Sequence, residues 1–402
     1  MKIVYVLGTS SGGIPHYAAQ LANAVSNYAD VIVLKPKKTS ADEFFSENIN
    51  VINAFTSINN LRFVDMYDFR RFVKGFFSFT KAVISYKNIT KTINQFNPDI
   101  VHILDLPPQI QIFIHRINKK YPKIVTFHGI PERKINIITQ SLMTFLSSIA
   151  MSFWNILSSF LFLKKDEFDR IIVHTQIHKS RLIKMGFSPD KIKVIPHGAF
   201  DIFCTQKYGA SIEEEKNTIL FFGNIVWSKA LDVLIDAIPL VAREIPKVKL
   251  VIAGDGVIPK RSWEVIKEYK SNFEIHNYFI PNEKVGEFFS RASLVVIPNR
   301  SQGGHSGSLT VAYSFGKPVV TTNVGEFPEL VRDAGCGLVV PPDNPGALAH
   351  AIIELLKNDE LRKKMSKNAL KKAEELSWDN IAKMHMRVYE EVLNEWGKGT
   401  KD

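Results

Sequence analysis

Cysteine is almost missing from this chain: two residues, Cys204 and Cys336, in 402. They stand far apart, with no Cys or His neighbour at metal-ligand spacing. A disulfide framework and a zinc site are therefore not expected, and a reducing compartment is. No acidic pair marks a metal site either. Asp166-Glu167-Phe168-Asp169 reads as a helix face, and no metal cofactor is expected. A cleavable leader is not expected either, because MKIVYVLGTSSGG holds one lysine and a short apolar run that enters a glycine turn, as a first β-strand does. The expected place is the cytoplasm. There is no internal repeat or low-complexity tract, and no G-x-G-x-x-G follows the first strand, which speaks against a dinucleotide site.

Negative charge is in deficit, with 40 acidic against 51 basic residues and a net charge of +11. Such a balance points to an acidic neighbour: nucleic acid, an anionic membrane face or a phosphorylated substrate. The remaining composition, 45% hydrophobic and 23% charged, is that of a globular chain long enough for two domains. Strand-type runs at 2–7, 31–34, 49–54, 99–104, 123–127, 170–174 and 191–195 alternate with helical patterns. A second series follows at 219–222, 248–253, 274–279, 294–298, 318–322 and 337–340. Alternation of this kind predicts parallel sheets covered on both faces. The expected division is 1–196, 197–376 and a last helical segment, 377–402, that opens Ser-Trp-Asp. The polar stretch 205–217 is the natural linker.

Two segments of the first domain break the rhythm. Residues 62–91 interleave basic and aromatic side chains, as suits a membrane interface or nucleic acid. Residues 135–163 carry no charge, yet too much Ser, Thr, Gln and Asn for a membrane span. That second segment reads as helices at a membrane surface or along an acceptor groove, or as a helix pair packed inside the domain. The stretch NRSQGGHSGSLTVAYSFGKPVV, 299–320, holds the clearest local signal. It reads as a strand end, a loop of glycine and serine, and a helix from Gly307 that Gly316 caps and Pro318 stops. The start of such a helix exposes unpaired N–H groups and about half a positive charge, a place for phosphate.

Four runs taken together, KIKVIPHG, ILFFGNIVWSKALDVLIDAI, KLVIAGDG and SGSLTVAYSFGKPVVTTNVGEFPELV, resemble the retaining nucleotide-sugar glycosyltransferases of family 4. The resemblance covers nearly the whole chain, including the Ser-Trp-Asp helix. It implies an α/β GT-B fold, two Rossmann-like doubly wound domains facing a central cleft, with the last helix crossing back to the first. Gly223 and Asn224 end a strand where ligands of open α/β sheets bind. Lys229 matches the lysine that holds the donor diphosphate, while Asn224, Val226 and Trp227 occupy the candidate places of its usual arginine partner. The two glutamates common in the family, seven residues apart, fall at Gly303 and Val311 here. The chain is thus similar to a branch with a Ser-Gly turn, in which the amides of Ser306, Gly307 and Ser308 take the phosphates. Glu326 and Glu329 are offered for part of the sugar and ribose recognition, although Glu329 reads equally as a helix-start carboxylate. His305 is placed near the leaving phosphates, and the segment around Phe279 near the base.

In the first domain the Gly12-Gly13 turn is expected to help hold phosphate, and His128, at a strand end, to face the sugar or the acceptor; a purely structural histidine is the alternative. Asp105 is the one nearby carboxylate offered as an acceptor-activating base. The implied function is transfer of a sugar from a nucleotide sugar to a lipid-linked or polysaccharide acceptor at the cytoplasmic face of an anionic membrane. The implied mechanism is retaining and metal-independent, with the leaving phosphate assisting front-face attack. Two other readings share the architecture: a degenerate protein that binds nucleotide or glycan, and a sugar-nucleotide epimerase, which calls for paired carboxylates the sequence does not show. Nucleic acid is not expected as a partner, since no groove-reading motif is present.

Overall fold

The computed structural model describes residues 1–55, 89–106, 117, 120–130, 167–205, 207, 212–301 and 305–399. Residue 303, the segment 135–163 and nearly all of 62–91 lie outside them. The chain divides into two compact units, Met1–Pro196 with Trp378–Asp402, and His197–Ser377.

The first unit holds a seven-stranded parallel sheet in the order β3-β2-β1-β4-β5-β6-β7. Its strands are β1 Lys2–Val6, β2 Asp30–Pro36, β3 Asn50–Phe55, β4 Ile100–Ile103, β5 Lys123–Phe127, β6 Arg170–Val173 and β7 Ile192–Val194. The second unit holds a six-stranded parallel sheet in the order β10-β9-β8-β11-β12-β13. Here the strands are β8 Thr218–Phe222, β9 Lys249–Ala253, β10 Phe273–His276, β11 Leu294–Ile297, β12 Val319–Thr322 and β13 Gly337–Val340. Both are doubly wound α/β sheets. In each, strand order reverses beside the first strand, so the loops after β1 and β4, and after β8 and β11, meet at a switch point where such sheets bind ligands. The apolar runs are continuous because the central strands are buried on both faces: Ile100–Ile103, Leu294–Ile297 and Val319–Thr322 hold no exposed residue.

Two expectations need correction. Of the run 166–169, residues 167–169 are described and form no helix face: Phe168 is fully buried, Glu167 pairs with Lys123 Nζ, and Asp169 accepts from the Lys123 amide at 2.7 Å. Charged residues next to a buried aromatic here tie a loop to the start of β5 and β6. The run 274–279 is a strand only to His276, since the Tyr278 amide turns back to the His276 carbonyl at 3.1 Å.

The last helix, Trp378–Gly399, belongs to the first unit. Trp378 packs on Tyr17 with ring centroids 5.4 Å apart. Further along, the apolar contact contains a polar seam. Tyr389 Oη lies 3.0 Å from Tyr5 Oη and 2.7 Å from His102 Nδ1, while His102 Nε2 lies 2.9 Å from Thr126 Oγ1. His385 donates from Nδ1 to the Ile381 carbonyl at 2.9 Å and meets Tyr17 Oη at 3.4 Å through Nε2. Partners on each ring replace the water lost on burial. Burial pushes the His102 imidazole well below its ordinary value and the His385 imidazole down to about 4.

Both rings are thus neutral when folded and take up a proton near pH 6.5 when unfolded. The unfolded state binds more protons between pH 6.5 and 4, so stability is full above that window and is lost as pH falls through it. For His385 the loss is roughly 3 kcal/mol. Urea unfolding at pH 7 and pH 4.5 measures this: wild type should lose more stability than His385→Gln over the interval. Equal losses in the two proteins contradict the assignment.

Candidate functional site

The carboxyl edge of the second sheet is built by close backbone approach. Gly223, with φ 127°, ends β8 and donates to the Ala253 carbonyl at 2.9 Å. The next residues run beside the loop after β9, joined by Ile225 N to Asp255 O at 2.8 Å. A β-carbon at Gly254 would lie 1.9 Å from the Gly223 carbonyl oxygen, and one at Gly256 2.1 Å from that of Ile225. Only glycine permits the two loops to lie this close. The chain then makes one tight helical turn, Trp227–Lys229, and enters the helix Leu231–Glu244 through Ala230 in a left-handed conformation, φ 50° and ψ 40°. A side chain in that region costs about 1–2 kcal/mol.

Arg300, just beyond β11, clamps the turn that carries Lys229. Its amide donates to Ser228 O at 2.9 Å and its guanidinium to Trp227 O at 3.0 Å. The same guanidinium holds both oxygens of Asp232, at 2.8 and 2.7 Å, and stands 5.4 Å over the Trp227 ring. Burial raises the Asp232 carboxyl, yet Arg300 and Arg261 beside it hold it below the usual carboxylate value.

Lys229 is half-buried; burial lowers its ammonium from the ordinary lysine value, and the negative charge of Glu326 opposes that shift. Glu326 is fully buried and its Oε1 lies 2.8 Å from His305 Nδ1. The His305 ring stacks on His197, with centroids 4.5 Å apart and planes 12° apart, and His197 Nδ1 donates to the Gly198 carbonyl at 2.7 Å. Two residues later the helix Gly307–Ser314 begins. Ser308 Oγ donates to the Phe222 carbonyl at 2.7 Å and thereby pins this helix start to the end of β8. Ser306 precedes the helix without capping it, and Ser306 Oγ and Asn299 Oδ1 are buried with no partner among the described residues. The Gly307 and Ser308 amides have no acceptor inside the helix. One edge therefore gathers an ammonium, an imidazole against a carboxylate, open amides and orphaned polar atoms, a set suited to a polyanion.

Gly223, Asn224, Lys229, His305, Ser306, Gly307 and Ser308 thus fall on one sheet edge. Phe279 sits on the same edge, 59% exposed, in the loop after β10, two strands from β8. Glu329 lies in the short turn Pro328–Arg332; Glu326, three residues earlier, is the carboxylate that faces Lys229 and His305. Val311 is buried in the apolar core. Arg300, Asp232 and His197 were missed. A histidine in His-Gly at a strand end was the only trace of the last.

In the first unit Gly12, φ 79°, opens the helix Gly13–Val25 with no side-chain cap, and its carbonyl accepts from His16 Nδ1 at 3.0 Å and Ser40 Oγ at 3.2 Å. Gly13 is exposed. Asp105, the carboxylate offered as a base, is buried and accepts from the Gly8 amide at 2.5 Å and from Thr9 Oγ1, bonds that anchor the first turn. Burial raises its carboxyl to about 6 against the pull of those bonds. His128, at the end of β5, lies 2.8 Å from the Leu104 carbonyl through Nε2 and 3.0 Å from His174 Nε2 through Nδ1. Among the described residues no three His, Cys, Asp or Glu converge as metal ligands, and both cysteines are free thiols.

The family model for Glycosyltransferase Family 4 matches residues 11–199, and that for Glycosyl transferases group 1 matches residues 205–372. An uncharacterized glycosyltransferase of Methanocaldococcus jannaschii is 34% identical over 182 residues, 45% of this chain and 50% of that protein. A phosphatidyl-myo-inositol mannosyltransferase of Mycobacterium leprae is 30% identical over 185 residues, 45% of this chain and 48% of the relative. The chain spans about half the length of the curated relatives it matches. Among solved structures, Anabaena HepE in complex with UDP and glucose superposes with a TM-score of 0.68 at 15% identity, covering 97% of this chain and 100% of the other. WaaG, a glycosyltransferase involved in lipopolysaccharide biosynthesis, gives 0.65 at 16% identity over 96% and 99%. At such identities the likeness is one of fold.

Loss of one charge-assisted contact to a phosphate weakens binding by about tenfold to a hundredfold. Calorimetry with UDP, GDP and ADP should find at least one that binds, and Lys229→Met should weaken that one by this factor. Equal affinity in the two proteins contradicts the assignment of Lys229.

Proposed function

We infer, from the premise that this chain belongs to glycosyltransferase family 4 and has its GT-B fold, that it transfers a sugar from a nucleoside-diphosphate sugar to an acceptor hydroxyl. The observation that carries this reading is the edge where Lys229, His305 and the Gly307 and Ser308 amides come together. Breaking the bond between sugar and diphosphate leaves negative charge on the departing phosphate oxygen. Fixed donors in a partly buried site stabilise that charge without reorganising, so Lys229 and the helix amides do most of the work. Glu326 keeps the His305 ring and the Lys229 ammonium facing the same place, and Arg300 keeps the Lys229 turn from yielding.

Retention of configuration, with the leaving phosphate guiding the acceptor to the same face, is what membership of the family suggests. It requires no enzymic nucleophile. The reading is metal-independent, since the cationic groups above take the role a divalent ion would have. The acceptor we favour is lipid-linked or a polysaccharide, reached at an anionic membrane surface on the cytoplasmic side. The net charge of +11 and relatives named phosphatidyl-myo-inositol mannosyltransferases support that choice. No helix among the described residues is long and apolar enough to cross a membrane. The carboxylate that faces His305 and Lys229 among the described residues is Glu326, whereas an epimerase calls for a pair.

Purified protein, a panel of nucleotide sugars and a membrane lipid extract provide the test. Nucleotide release should depend on the lipid fraction, persist in EDTA, and fall at least a hundredfold in Lys229→Met, the scale on which loss of one donor to a developing charge is felt. Binding without release identifies a degenerate binder, and donor turnover without lipid identifies an epimerase or hydrolase; either result removes the transferase reading. Loss on EDTA treatment removes the metal-independent clause. In a separate flotation assay the protein should rise with anionic liposomes at low salt, and protein that stays at the bottom removes the membrane clause.

A further inference from the structure

Two histidines of the first unit form a short chain closed at both ends by backbone carbonyls. His128 Nε2 is 2.8 Å from Leu104 O, His128 Nδ1 is 3.0 Å from His174 Nε2, and His174 Nδ1 is 3.0 Å from Ile195 O. A carbonyl oxygen only accepts, so each end needs an N–H: Nε2–H on His128 and Nδ1–H on His174. The middle contact needs a third proton on one of the facing nitrogens. Without it two lone pairs oppose each other at hydrogen-bond distance. Two neutral imidazoles carry two N–H groups between them. Three contacts therefore require one imidazolium.

We propose that His128 and His174 hold one proton in excess and share a single positive charge, and that His174 is a positioning residue that sets the charge and the orientation of His128. The elements packed around the pair fit a fixed cation. Tyr17, from the helix Gly13–Val25, meets both rings edge-on, with centroids 4.7 and 5.5 Å away. From β4 and its end come His102, kept neutral by burial, and Asp105, already engaged by Gly8 and Thr9. The helix Gln176–Lys184, which follows His174, brings His178 and Arg181, the latter donating to Ile130 O at 2.9 Å. The last helix brings His385, neutral against Tyr17, and Tyr389. Backbone carbonyls at both ends accept from the outer nitrogens and so help to solvate the charge. In the glycosyl-transfer reading, on which only its consequence rests, the pair gives the first sheet a cationic group at its carboxyl edge for an anionic donor or acceptor. His128 acts there by charge and ring position, and its nitrogens do not accept a proton from the acceptor.

The sign of the pH dependence follows. Raising pH removes the third proton, one of the three contacts opens, and both charge and fixed orientation are lost. Full-length protein labelled with 15N-histidine reports this directly in long-range 1H–15N spectra from about pH 5.5 to 9. The expected result is one proton lost from the two rings together, with a common midpoint and three ring protons below it. In His174→Phe, which keeps a ring and removes its nitrogens, His128 should become a neutral Nε2–H tautomer at neutral pH. His174→Gln, whose amide can still donate to Nδ1, should hold the His128 position without the charge and serves if the first variant fails to fold. Two rings that are neutral tautomers throughout, or that titrate with separate midpoints, overturn the proposal. In the transfer assay, kcat/KM should fall on the alkaline side in wild type, and His174→Gln should lose that limb, its kcat/KM at neutral pH already lowered to the alkaline level of wild type. A silent assay with the expected spectra would count against the transferase reading alone.

Discussion

A single hydroxyl holds the positive end of one short helix against the end of a central strand: Ser308 Oγ on the Phe222 carbonyl, 2.7 Å. Everything distinctive in the second unit is arranged around that contact. Because Ser308 sits in the first turn, its bond to β8 brings the open amides of Gly307 and Ser308 to the point where strand order reverses. Gly223, just after β8, has φ 127°, a conformation that residues with a side chain rarely adopt, and leaves the space beside Ser308 Oγ open.

Charge at this edge is kept in place by three different means. Arg300 fixes the Lys229 turn through two backbone carbonyls and the Asp232 carboxylate. Glu326, fully buried, compensates a half-buried ammonium that would otherwise lose its proton more readily. His197 stacks on His305 and holds the ring at Glu326. An ammonium half withdrawn from water is a stronger partner for phosphate than an exposed one, since water screens it less. The left-handed Ala230 just after Lys229 shows that the backbone tolerates strain to keep this turn. The first unit uses the same logic with other residues, as Asp105 pins the Gly8–Thr9 turn and two carbonyls bracket the imidazoles of His128 and His174.

Much of the fold could be read directly from residue order. The strands are continuous apolar runs because both faces of the sheets are covered, and Gly316, at φ 59°, caps the helix Gly307–Ser314 as the glycine and the following Pro318 imply. The place of Lys229 and of the Ser306–Ser308 turn at the edge of the second sheet was legible because local pattern and family resemblance agreed on it. The rest was hidden for one reason: it depends on pairing across long separations. Arg300 and Asp232 are 68 residues apart, His128 and His174 46, and Asp105 and Gly8 97. Nothing in the sequence near Asp105 distinguishes a carboxylate that anchors a turn from one that activates an acceptor. Likewise, Glu326 and Glu329 look alike in VGEFPEL, and only the packing of the loop after β12 turns Glu326 towards Lys229 and His305.

The central claim is that the Gly307 and Ser308 amides and the Lys229 ammonium together receive a diphosphate. An amide-resolved 1H–15N titration of the full-length protein with a nucleoside diphosphate that binds tests it most directly. The Gly307 and Ser308 amide signals should move with the same dissociation constant as the Lys229 ammonium signal. Shifts confined to the Gly12–Gly13 turn, or a Lys229 signal that moves while both amides stay fixed, would contradict it.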